Sequence, residues 1–233
     1  MKPVLIFRHI ACEGPGYLAT FLGRNNIPFA VIDLYKNTEI PADIRNYSGL
    51  VFMGGPMSAN DTLPWLTAEL DLIRDAHQHN IPVLGHCLGG QLISKALGGA
   101  VRANSVSEIG WFPVAPVDNL KMEWLQDLSF STEIFHWHSE MFMLPERAIP
   151  LFKSEYCPNQ GFMLDNILAL QFHVEMEEHN IAEWLEIYAN EIPAPCESVQ
   201  TGREMLFNLE QRISRLHKFA DSVYTQWLNG FSN

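Results

Sequence analysis

Ile81-Pro-Val-Leu-Gly-His-Cys-Leu-Gly-Gly-Gln91 is the stretch from which the rest of the chain can be read. It opens as a short apolar run of the kind a buried strand requires. Gln91-Leu-Ile-Ser-Lys-Ala-Leu97 then carries apolar residues at helical spacing. Between them lies Gly85-His-Cys-Leu-Gly89, a glycine–x–nucleophile–x–glycine pentapeptide of the nucleophile-elbow form, with Cys in place of Ser. So sharp a turn strains the backbone of its central residue and leaves room only for very small residues two positions away. The thiol arrives at a helix N-terminus, where unpaired amides favour an anion and can receive a developing oxyanion. A buried structural cysteine beside a glycine-rich turn would give the same pentapeptide, so the other half of a site must be sought elsewhere.

Working outward, residues 3–10 read as a first buried strand, broken by Glu13-Gly-Pro-Gly16. Residues 17–22 read as a short helix, 29–34 as a strand, 43–47 as a helical turn and 50–53 as a third strand running into Gly54-Gly55-Pro56. An amphipathic helix follows over 64–79, with Leu66, Leu70, Ile73 and Ala76 on one face. Beyond the elbow helix and its stop at Gly98-Gly99, residues 100–117 and 133–173 read as strands and turns, clearest at 109–117 and 167–173. Residues 179–190 read as a helix, ended by Pro193-Ala-Pro195. Strands alternating with helices predict an α/β fold with a mainly parallel central sheet flanked by helices. Such sheets carry their sites beyond the carboxyl ends of the strands, where Gly55 and Cys87 fall. The expected organisation is one domain over 1–192 and a C-terminal helical extension over 193–233.

The 233 residues are 47% hydrophobic and 18% charged, which is globular composition. A formal net charge of −12 argues against nucleic acid as a partner, because phosphate contacts need clustered Lys and Arg. No apolar run approaches a membrane span or a signal peptide. Cys12, Cys87, Cys157 and Cys196 have neither metal nor disulfide spacing, so a reducing, cytoplasmic setting with free thiols is expected. Cys12, Cys157 and Cys196 are expected to be inert.

A cysteine nucleophile needs a base and a group to orient it. Gln171-Phe-His-Val-Glu175 supplies both, since His173 and Glu175 are two apart and would project from one face of a strand. Alone, His-x-Glu is more often a surface pair. His136 and His138 could instead join His173 and Glu175 around zinc, a set that leaves the elbow without a purpose. His86 is expected to turn into packing, away from its neighbour on the elbow.

Four blocks now resemble those of the class I glutamine amidotransferases: Met53-Gly-Gly-Pro-Met-Ser58, Gly85-His-Cys-Leu-Gly-Gly-Gln91, Phe135-His-Trp-His-Ser-Glu140 followed by Leu144-Pro145, and Gln171-Phe-His-Val-Glu175. The resemblance covers residues 1 to about 192 and is nearest to stand-alone proteins similar to the glutaminase domain of GMP synthase. It implies a flavodoxin-like sheet, Cys87 as nucleophile, His173 as general base and acid, and Glu175 as its orienter. It further implies an oxyanion hole from the Gly55 and Leu88 amides, and substrate contacts from Gln91, Met57 and the segment Trp137, His138, Ser139 and Glu140. No metal or cofactor is implied. Two departures stand out: Val174 replaces a proline usual in the family, and Ser139-Glu140 replaces a commoner Gly-Asp pair.

Three functions share these residues. One is a glutaminase that releases ammonia for an acceptor or a partner synthase, since the chain carries no phosphate loop or ATP-pyrophosphatase signature of its own. Another is a stand-alone γ-glutamyl hydrolase or peptidase, and the third is a non-catalytic binding module. The tail adds a capping box, Thr201-Gly-Arg-Glu204, and a stripe of Leu206, Leu209, Ile213, Leu216, Ala220, Val223 and Trp227. That stripe must be buried on its own domain, the ordinary outcome for an appended helix, or on a partner, a second copy included.

Overall fold

The computed structural model describes residues 2–36, 39–118, 120, 122–126 and 133–231. In chain order the elements are β1 (Val4–Arg8), α1 (Gly16–Arg24), β2 (Phe29–Asp33), β3 (Gly49–Phe52), α2 (Leu66–Gln78), β4 (Val83–His86) and α3 (Leu88–Ala96). There follow β5 (Ala100–Pro113), β6 (Ala115–Pro116), α4 (Glu123–Gln126), β7 (Glu133–Met143), β8 (Ile149–Lys153), β9 (Gly161–Leu164) and β10 (Ile167–Leu170). The chain ends in α5 (Glu178–Ile187), α6 (Gly202–Leu206) and α7 (Leu209–Leu228).

Eight strands form the main sheet in the order β2-β1-β3-β4-β10-β9-β8-β6. The first five are parallel to one another, and β9, β8 and β6 extend the sheet antiparallel. The expected mainly parallel α/β sheet is therefore what forms. β5 and β7 pair separately as a long antiparallel ribbon, whose register shifts between Ala103 and Glu108.

The continuous apolar runs make sense on a sheet covered twice. Val4 and Ile6 of β1, Val51 beside them and Leu168 and Leu170 of β10 face one core with Leu18, Trp184 and the α7 stripe. Leu5 and Phe7, Leu50 and Phe52, Ile167 and Ala169 alternate onto the other, where α2 and α3 pack. No helix among the described residues is long and apolar enough to cross a membrane.

The tail closes the first core. Ile213, Leu216, Phe219, Ala220, Val223, Tyr224 and Trp227 are all buried there, so the stripe packs on its own chain. The Thr201 capping box forms as expected, with the Glu204 amide on Thr201 Oγ1 at 3.2 Å and the Thr201 amide on Glu204 Oε2 at 2.7 Å. The helix it opens is short, however. Asn208 takes a left-handed conformation at φ 52°, breaks the run into α6 and α7, and leaves Leu206 exposed. Polar ties fasten α7 further: Tyr17 donates to Asp221 at 2.9 Å, and His217 Nε2 donates to the Met176 carbonyl at 2.9 Å.

Leu216 is fully buried between α7 and the sheet. Leu216→Ala should cost about 2–5 kcal/mol, the range for deleting a buried leucine side chain. Urea unfolding checks it, and a loss below about 1 kcal/mol would mean that α7 contributes little to the core.

Candidate active site

Four neighbouring parallel strands, β1, β3, β4 and β10, end at one edge, and the chain segments leaving them build the site. At the end of β4, Cys87 has φ 47° and ψ −106°, a strained conformation for a residue with a side chain. Packing holds it there. A Cβ on Gly89 would lie 1.9 Å from the Phe52 carbonyl oxygen, and one on Gly85 would lie 2.5 Å from the Gly89 carbonyl carbon. Only glycine lets α3 start this close to β3 and β4. The Cys87 sulfur, 7% exposed as a residue, lies 3.8 Å from the Trp137 carbonyl oxygen and 3.6 Å from Gln171 Nε2.

The Gly54-Gly55 turn after β3 reaches the same point. A Cβ on Gly55 would come within 2.9 Å of Leu88 Cδ2, which places the two residues side by side. Neither the Gly55 nor the Leu88 amide has a hydrogen-bond acceptor among the described residues. The turn is braced from below by His9. Its Nδ1 lies 3.1 Å from the Gly54 carbonyl and its Nε2 3.1 Å from Glu69 Oε1, both wholly buried. Burial alone would push His9 down; the Glu69 carboxylate and the Gly54 carbonyl outweigh it and raise its pKa.

His173 and Glu175 come together as expected, with Nδ1 to Oε1 at 2.6 Å. The backbone reason differs from the expected one. β10 stops at Leu170, and Gln171 to Glu175 form an irregular segment anchored by a bridge between His173 and Phe135. His173 Nε2 is buried with no hydrogen-bond partner among the described residues, and the ring stands edge-on to Trp184 at 5.0 Å. Burial opposes a charge on His173, yet Glu175 and the Cys87 sulfur hold its pKa well above the usual histidine range. For Glu175, burial works upward, and His173 followed by His86 brings it below the usual carboxylate range. His86 turns from the thiol, as expected, and lands 3.8 Å from Glu175 Oε2 and 3.2 Å from the Tyr224 hydroxyl of α7.

The remaining expected residues divide. Gln91 Nε2 lies 3.4 Å from the Glu140 carbonyl and 3.3 Å from Gln171 Oε1, linking α3 to β7 beside the sulfur. Trp137, His138 and Ser139 line a cleft of about 180 Å³ together with Gly55. Glu140 turns its carboxylate to the Ser58 hydroxyl at 3.0 Å, and Met57 packs against the second core. His138 places Nδ1 on the Glu140 carbonyl and turns Nε2 toward Glu108 at 3.2 Å. The alternative metal set does not gather: His136 and His138 turn to Glu108, whereas His173 turns to Glu175. Nor are the other cysteines alike. Cys12 and Cys157 are buried, but Cys196 is exposed and its thiol is brought below the usual range by Ser198.

Sequence reasoning missed Glu13. It follows β1 in the segment read only as a breaker, lines the cleft, and accepts from Tyr188 at 3.1 Å. A Cβ on Gly54 would touch both Glu13 Oε2 at 2.3 Å and His173 Cε1 at 3.1 Å, so this carboxyl sits beside the imidazole. Burial pushes its pKa up to about 7 against the pull of His173. Its position after a parallel strand was the available signal.

A doubly covered, mainly parallel sheet, with a strained cysteine turn and a buried His–Glu pair at its carboxyl edge, is the architecture of a class of α/β enzyme. Residues 18–185 match the family model of glutamine amidotransferase class-I, and the chain belongs to that family of enzymes. It is 29% identical over 201 residues to the glutamine amidotransferase-like protein YfeJ of Salmonella typhimurium, covering 82% of this chain and 84% of that one. It is likewise 29% identical over 151 residues to the glutamine-hydrolysing GMP synthase component of Sulfolobus acidocaldarius, 64% of this chain and 77% of that one. A crystal structure of a glutamine amido transferase from Methylobacillus flagellatus superimposes with a TM-score of 0.94 at 41% identity, covering 100% of this chain and 96% of that one.

Glu13 generates a signed prediction. Its folded pKa of about 7 exceeds its ordinary 4.5, so between those values the folded state holds the extra proton and stability falls as pH rises. Glu13→Gln removes that slope. The variant should match the parent below pH 4.5 and exceed it above pH 7 by at most roughly 3 kcal/mol, measured by urea unfolding across that window. An unchanged slope would remove Glu13 as its source.

Proposed function

We propose that the protein hydrolyses the side-chain amide of glutamine through a Cys87–His173–Glu175 triad and delivers ammonia to an acceptor on another protein. The observation that carries the reading is the buried His173, bound to Glu175 at 2.6 Å on one side and left with an open Nε2 on the other, in the ring of strand ends that holds the strained Cys87. In this reading the Cys87 thiolate attacks the amide carbon, and the amides of Gly55 and Leu88 receive the oxyanion. His173, charged beside Glu175, gives its Nε2 proton to the departing ammonia. The γ-glutamyl thioester left on Cys87 is hydrolysed by water, whose proton returns to His173, and glutamate leaves.

Gln91, the Trp137–Glu140 backbone and the cleft beside Gly55 are where the amino-acid end of the substrate would lie. A synthase partner is supported by the likeness to the glutamine-hydrolysing component of a GMP synthase. The free thiols suit a reducing, cytoplasmic setting. A γ-glutamyl hydrolase is the second reading, favoured by the cleft continuing past Gly55 to Ile109, Glu191 and Pro193, where a leaving group larger than ammonia has room.

Ammonia release from glutamine, set against release of the amine from a panel of γ-glutamyl amides, tests the proposal. Cys87→Ala should remove turnover altogether, and His173→Ala should cost about 10²–10⁴-fold, with Glu175→Ala less damaging. Faster turnover of one γ-glutamyl conjugate than of glutamine would favour the second reading. Full activity in Cys87→Ala would overturn both.

A further inference from the structure

A second buried cluster lies behind the cleft, where the β5–β7 ribbon meets the main sheet. Glu108 enters at the irregularity of β5, and His136 and His138, two apart on β7, share one face. Ser154 follows β8 and Gln160 precedes β9. His136 Nε2 lies 3.2 Å from the Phe112 carbonyl, and His138 Nδ1 lies 3.1 Å from the Glu140 carbonyl. A carbonyl can only accept, so each ring carries its hydrogen there. The opposite nitrogens, His136 Nδ1 and His138 Nε2, are left with lone pairs. Both face Glu108, at 3.7 Å from Oε1 and 3.2 Å from Oε2.

The hydrogens do not suffice for the acceptors. Gln160 Nε2 sits 2.6 Å from Glu108 Oε2, 3.0 Å from Ser154 Oγ, 3.3 Å from His136 Nδ1 and 3.4 Å from His138 Nε2. It has two hydrogens for four acceptors, and the Ser154 hydroxyl adds one more, toward Glu108 Oε2. Glu108 Oε1 and Gln160 Oε1 are buried with no hydrogen-bond partner among the described residues. Glu108 and His136 are fully buried and His138 nearly so, and such a surplus of lone pairs out of water is costly unless a cation sits among them.

We propose that Glu108, His136 and His138 bind a divalent ion of the zinc class, with the Gln160 amide turned by half a rotation so that Oε1 faces it. A tetrahedral ion with bonds near 2.0–2.1 Å wants its ligand atoms about 3.4 Å apart. His138 Nε2 meets one Glu108 oxygen at 3.2 Å and His136 Nδ1 the other at 3.7 Å, and one donor atom from each of the three residues lies within 4.8 Å of the other two, so the set must draw in slightly around an ion. Imidazole and carboxylate ligands without thiolate suit zinc better than calcium or magnesium. Ring N–H groups donating to backbone carbonyls are the usual outer support of metal-bound histidine. The ion has a positioning role. It ties β7 to β5 and to the β8–β9 edge, and β7 carries both the Trp137 carbonyl beside Cys87 and the Glu140 carbonyl beside Gln91.

The test uses the full chain without a histidine tag, stripped by a chelator and titrated with zinc against a chromophoric competitor. One equivalent should bind, and His136→Ala or Glu108→Gln should weaken it by at least about 10²-fold, since even outer-support changes cost 10–100-fold. His79→Ala, at an exposed helix end, should leave it unchanged. Should either cluster variant fail to fold, the cobalt-loaded wild type decides: tetrahedral d–d bands without a sulfur charge-transfer band are expected. A thiolate band, a folded wild type that binds no stoichiometric metal, or binding that survives both folded variants would overturn the site.

Discussion

The whole site depends on how closely a helix can approach two strands. At Gly89 the Phe52 carbonyl would lie 1.9 Å from any Cβ, so α3 reaches this depth only because no side chain stands there. That approach fixes the turn at Cys87, whose φ of 47° points the residue out of strand and helix alike. It also brings the first turn of α3 beside the Gly54-Gly55 turn, with the Gly89 amide on the Met53 carbonyl at 3.1 Å. The strain of order 1–3 kcal/mol at Cys87 is offset by burial of the apolar residues of β4 and α3 on both faces of the sheet.

Around that turn the protein buries charge, and pairs it. His9 with Glu69 holds the Gly54 carbonyl from beneath, and His173 with Glu175 stands on the other side of the thiol. Glu13 is the exception, a carboxyl with one hydroxyl partner and burial strong enough to keep its proton near neutral pH. Placed beside His173, it supplies negative charge only when it ionises, which ties the electrostatics of the imidazole to pH through a third carboxyl. The α7 helix joins the same network through Tyr224 and His86, so the C-terminal helix both closes the core and fills space under Glu175.

What could be read from the sequence was local. The elbow, the glycine pair after β3 and the capping box at Thr201 each announce themselves within five or six residues, because sterics and hydrogen bonding act over that range. The parallel sheet followed from alternation of strand and helix. The His173–Glu175 pair is legible from its spacing, but the strand ends at Leu170 and a bridge to Phe135, not strand pleat, aligns the two. Pairings across long separations were silent: His9 with Glu69, Glu13 with Tyr188, and Glu108 with His136 and His138 join elements that only the completed sheet brings together. Asn208 carries a signal of its own, for asparagine is one of the few side-chain residues that visit the left-handed region readily.

Cys87 is the nucleophile of the proposed reaction. Peptide mapping by mass spectrometry after exposure to an electrophilic glutamine analogue addresses it directly, with glutamine added as protectant in a parallel sample. One adduct is expected, on Cys87, formed in step with loss of activity and suppressed by glutamine, while any modification of the exposed Cys196 is indifferent to glutamine. Inactivation that tracks modification of Cys12, Cys157 or Cys196 with Cys87 unmodified would contradict it.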